Sequence, residues 1–88
     1  DTRTDIYALG ITLYKMVSGD VPFKGDTRAV LAQHLTQEPA RLSSVVEGVD
    51  RRLSETVAQM LLKDPDQRPR SMHQVADLMQ PDHADVAR

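Results

Sequence analysis

Asp5-Ile6-Tyr7-Ala8-Leu9-Gly10-Ile11-Thr12-Leu13-Tyr14-Lys15-Met16-Val17-Ser18-Gly19 is the stretch that decides the fold. Ile6, Leu9, Leu13 and Met16 or Val17 recur at helical spacing, which predicts one helix over residues 4–18. Ala8, Leu9, Gly10, Ile11 and Leu13 make that helix apolar on more than one side, the pattern of a buried central element. Thr2 followed by Asp5 reads as a capping box at its start. Gly19 suits a left-handed cap at its end. Gly10 costs a helix interior about 1 kcal/mol against Ala, so its place there implies close approach by another backbone.

Working outward, Pro22 forbids helix in the loop Asp20-Val21-Pro22-Phe23-Lys24-Gly25, and Phe23 is its one large apolar anchor. Asp26 or Thr27 caps a second helix, roughly 27–37, with Val30, Leu31 and Leu35 as its stripe. Pro39 ends it and pushes Glu38 to extended backbone. Residues 39–53 lack periodicity and read as an irregular connection with one short turn. Ser54 is placed as the cap of a third helix running to Lys63. Asp64-Pro65-Asp66-Gln67 is a tight turn by residue type. Ser71 with Gln74 opens a fourth helix over 71–80, and Pro81 closes it. Residues 81–88 are a polar tail. The fold class is therefore all-α, with four helices in one unit over 1–80.

The bulk numbers narrow the function classes. Eleven basic against thirteen acidic residues give a net charge of −2, and no helix carries a basic face for nucleic acid. Without cysteine the chain has neither disulfides nor thiolate metal sites. No apolar run is long enough to cross a bilayer, which fits a soluble, cytoplasmic setting. His34, His73 and His83 do not share a metal-ligand spacing with carboxylates, and Met16, Met60, Met72 and Met79 read as core fillers. Lys63 and Arg70 flank the turn as solvated charges.

Three blocks, Asp5-Ile6-Tyr7-Ala8-Leu9-Gly10, Gly19-Asp20-Val21-Pro22-Phe23 and Asp64-Pro65-Asp66-Gln67-Arg68-Pro69, resemble in order and spacing the C-terminal lobe of eukaryotic-like protein Ser/Thr kinases. The text around Gln33-His34 and Glu38-Pro39 is most similar to the bacterial members. On this resemblance the four helices correspond to helices F, G, H and I of the family. Asp5 resembles the helix F aspartate whose carboxylate accepts backbone N–H bonds from the catalytic loop. Arg68 resembles the arginine that pairs with the Glu of an Ala-Pro-Glu motif, a role suited to a planar bidentate donor. Gly10 sits where the family places a small residue on its central helix. Position 7, often Trp in relatives, is Tyr here.

The resemblance also defines what is missing. Kinase chemistry needs a Gly-rich loop, a strand Lys, a catalytic-loop Asp and Asn, and an Asp-Phe-Gly, and none of these occurs. The expectation is a segment that starts mid-protein at Asp1, with no catalytic, cofactor-binding or metal residues of its own. ATP and Mg would belong to the full-length parent, and the main partner would be the rest of the kinase domain. Val30, Leu31, His34 and Leu35 divide between core and an exposed patch for a protein substrate or regulator. The alternative is a non-catalytic helical interaction module or a pseudokinase remnant, which the coding sequence before Asp1 would distinguish. Alone, with one side of the central helix unpacked, the chain is expected to be partly molten or self-associating.

Overall fold

A computed structural model describes residues 1–80; the polar tail expected over 81–88, with Pro81 as the helix stop, lies outside the described residues. The regular structure of the described residues is all helical: α1 (Thr2–Ser18), α2 (Thr27–Thr36), α3 (Leu42–Val45), α4 (Arg51–Met60), a 3-10 turn at Pro65–Gln67, and α5 (Met72–Met79). The four expected helices are α1, α2, α4 and α5. The short turn expected within 39–53 is α3.

α1 starts two residues earlier than its apolar pattern suggests, because Asp1 caps it. The Asp1 carboxylate accepts from the backbone N–H groups of Arg3 at 2.9 Å and Thr4 at 3.1 Å. The capping box of Thr2 and Asp5 is thereby corrected: Thr2 is already the first helical residue, and Asp5 lies one position past the reach of a reciprocal bond. Gly19 ends the helix at φ 82°, and its N–H donates to the Lys15 carbonyl at 2.8 Å.

α4 carries the second correction. Asp50, not Ser54, is its cap, accepting from the Leu53 N–H at 3.0 Å. Ser54 is instead buried within the helix, where its hydroxyl oxygen accepts from the Ser43 N–H at 3.0 Å and ties α3 to α4. An aspartate followed by two arginines is a weak periodic signal but a strong cap, and cap chemistry sets the start. α5 opens as expected, with Ser71 accepting from Gln74 N–H, although the Gln74 amide oxygen takes the N–H of Arg70 rather than that of Ser71.

The core forms along α1. On one side Ile6 meets Met60 and Val75, which brings α4 and α5 against the N-terminal half of the helix. On the other, Tyr14 meets Leu42, Val57 and Leu61, with Ile11, Val17, Val46 and Val49 around them. Leu13 packs against both groups. Of the four methionines only Met60 is core; Met16 is 74 % exposed, and Met72 and Met79 are also exposed. The outward side of α1 that bears Met16 is therefore uncovered among the described residues.

Candidate functional site

Gly10 is buried against α4. A Cβ on it would lie 2.9 Å from Leu61 Cδ2 and 3.0 Å from Met60 Cβ. The close approach inferred for this glycine is real, but its neighbours are the side chains of Met60, at the end of α4, and Leu61, which caps it, not a backbone. Its absent side chain lets α1 and α4 meet.

Asp5 stands on the first turn of α1, exposed, and its carboxylate makes no hydrogen bond or ion pair among the described residues.

Arg68 follows the 3-10 turn and is the most engaged charged side chain of the set. Its Nε donates to the Leu62 carbonyl at 2.7 Å, Nη2 to the Lys63 carbonyl at 3.3 Å and Nη1 to the Arg3 carbonyl at 3.2 Å. The Leu62 and Lys63 carbonyls lie just past the C-terminus of α4, where cations are favoured. The guanidinium also lies over the Tyr7 ring, 4.6 Å from its centroid. Three of its five N–H donors are used in these bonds, which leaves two for a further acceptor. It opens on a shallow depression of about 300 Å³ shared with Arg3, Asp66 and Arg70. Arg3 pairs there with Asp66 and, at 3.4 Å, with Asp1.

The structure also joins residues that the pattern does not bring together. Tyr7 Oη lies 2.6 Å from His34 Nδ1. The His34 ring sits edge-on to both Tyr7 and the buried Phe23, with centroids 5.6 and 4.9 Å away. Lys63 reaches across from the end of α4, donating to the Gln33 carbonyl at 3.1 Å and the His34 carbonyl at 2.8 Å, with its ammonium 4.7 Å from the Phe23 centroid. Lys63 is thus half-buried and bonded, not solvated, because the C-terminal carbonyls of α2 need a donor. Burial pushes the Tyr7 phenol up, only partly offset by Arg68. Burial pushes Lys63 down, with Glu38 opposing and Arg68 adding to it. The Tyr7 hydroxyl gives position 7 this bond.

The second helix divides as follows. Val30 and His34 are half-buried, while Leu31 is 60 % exposed and Leu35 is 69 % exposed. A cleft of about 300 Å³ runs between the segment Glu38–Arg41 and α4, floored by Tyr14, Val57 and Leu61; Asp5 and Arg68 are not among its walls. Among the described residues no three His, Cys, Asp or Glu side chains converge as a metal ligand set, and no helix is long and apolar enough to cross a membrane.

No family model matches the chain. Individual proteins do. It is 36 % identical over 87 residues to the serine/threonine-protein kinase pkn2 of Myxococcus xanthus, which takes in 96 % of this chain and 10 % of that protein. It is 38 % identical over 69 residues to the serine/threonine-protein kinase PknB of Mycobacterium tuberculosis, 77 % of this chain and 11 % of that protein. A probable serine/threonine-protein kinase of Clostridium perfringens is 36 % identical over 66 residues. The chain spans about a tenth of the length of these curated relatives. With an all-helical fold and this likeness along most of its length, the chain belongs to the protein Ser/Thr kinase family, as a short helical segment of it.

Proposed function

We propose that this chain is the helical base of a kinase C-terminal lobe, α1, α2, α4 and α5 corresponding to helices F, G, H and I, and that it serves as a scaffold without chemistry of its own. The observation that carries this reading is the Asp5 carboxylate. It stands on the first turn of the central helix with no hydrogen bond among the described residues. In the whole protein it accepts backbone N–H bonds from the catalytic loop. Charge-assisted bonds of this kind hold a loop in a fixed place, and fixed placement is the larger part of catalysis in phosphoryl transfer. The two N–H donors left on Arg68, at a depression rich in arginine, take the Glu of the activation segment. The parent binds ATP and Mg and passes the γ-phosphoryl group to a protein hydroxyl, with ADP leaving, in the cytoplasm where ATP is supplied. Leu31 and Leu35 face outward for a protein substrate or regulator.

A chimera tests this. The matched residues of the Mycobacterium tuberculosis kinase are replaced by this chain, and phosphorylation of a protein substrate is measured. The expected result is an active chimera whose rate falls at least about a hundredfold with Asp5→Ala, through misplacement of the loop. A folded chimera with no activity, or one indifferent to Asp5→Ala, overturns the proposal and leaves the non-catalytic interaction module in its place.

A further inference from the structure

α2 is the only α-helix among the described residues that contributes no fully buried residue. Its hold on the molecule comes from Phe23 at its entry and from polar contacts at its exit. At that exit His34 is the hub, touching Tyr7 of α1 through its ring nitrogen, Phe23 through its ring edge and Lys63 through its carbonyl. We propose that His34 is a pH-sensitive clasp: as a neutral imidazole it fastens α2 to α1 and to the end of α4, and its protonation releases α2.

The chemistry at the ring gives the clasp its direction. His34 Nδ1 is the only hydrogen-bond partner of the Tyr7 hydroxyl among the described residues. With the imidazole neutral and its proton on Nε2, Nδ1 accepts from the Tyr7 O–H. Protonation makes Nδ1 a donor, so that arrangement is lost, and the contact is kept only if the Tyr7 O–H turns away and its oxygen accepts instead. It also places an imidazolium among cations. Lys63 lies against it from the end of α4, Arg68 lies against the Tyr7 ring, and Lys24 shares the pocket formed by Phe23 and His34. The opposing groups are Glu38, which acts on Lys63, and Asp20, whose carboxylate is already paired with Lys24. The C-terminal dipole of α2 favours a cation, but Lys63 already occupies the carbonyls of Gln33 and His34. Burial first, and Lys63 second, hold His34 below its ordinary 6.5.

The sign follows. A depressed histidine favours the neutral form in the docked state, so docking is full above about pH 6.5. It weakens as pH falls below that value, and levels off once the docked imidazole is protonated too.

Amide hydrogen exchange of residues 27–36, corrected for the intrinsic pH dependence and compared with α4, tests the clasp from about pH 7.5 to about pH 5. Protection of α2 is expected to hold down to about pH 6.5 and to fall below it by at most about tenfold per pH unit, with α4 unmoved. His34→Gln, which keeps an acceptor for Tyr7 but does not titrate, is expected to make α2 protection flat with pH. Flat protection in the unaltered chain, an equal fall in His34→Gln, or unprotected α2 beside protected α4 at neutral pH each overturns the clasp. If the chain alone leaves α4 unprotected, the same peptide is read within the kinase chimera, where exchange is independent of whether the chimera is active.

Discussion

At the scale of one residue, Gly10 decides how closely the two main helices approach. Alanine there gains about 1 kcal/mol of helix propensity but must displace Leu61 and Met60, and overpacking of that kind costs about 1–3 kcal/mol. Gly10→Ala is expected to destabilise by about 1 kcal/mol net, read as a melting temperature lower by roughly 4–8 °C. A rise in melting temperature would show that α4 can give way. The need for a small residue at this position was legible in the sequence, because a glycine in an apolar helix has few other uses. The role of Lys63 was not. A lysine before a turn looks solvated, and only the placement of α2 shows that its ammonium meets two carbonyls thirty residues away. Met16 failed for a related reason: helical spacing names a face but does not say whether anything covers it.

At the scale of the element, caps outrank apolar pattern in setting boundaries. Asp50→Ala removes the bond to Leu53 N–H and is expected to cost about 1 kcal/mol in thermal unfolding, since α4 packs on α1, α3 and α5. Asp26→Ala removes the matching bond to Ala29 N–H in α2, yet is expected to leave the main transition unchanged, because α2 buries no residue. Equal effects would mean that α2 unfolds together with the core. Helix existence was legible from Ile6, Leu9 and Leu13 and from the prolines, while the start of α4 was obscured by Arg51 and Arg52, which carry no apolar signal.

At the scale of the whole molecule, the described surface carries several large apolar groups. Met16, Leu31, Leu35, Val45, Leu62, Met72 and Met79 are all exposed. Scattered singly they would mean little, but Leu31 and Leu35 lie one turn apart on the same face. The chain alone is therefore expected to self-associate, and Leu31→Lys with Leu35→Lys to shift it toward monomer in sedimentation velocity. No change would place the sticky surface elsewhere, with the outward side of α1 next in line. An all-α class was readable from composition and spacing; which apolar residues stay uncovered was not, because that depends on how many layers surround the central helix.

Arg68 fixes where such a molecule comes apart. Its bond to the Arg3 carbonyl spans 65 positions, and the pairing of Arg3 with Asp66 spans 63. Joining points so distant has a large entropic cost, so neither contact forms before the helices between them are in place. The hem between the first turn of α1 and the 3-10 turn is thus expected to close late in folding. Being exposed along most of its length, it is also expected to open as one, so gentle heating should expose Thr2 to Thr4 and Pro65 to Gln67 to a protease at the same moment.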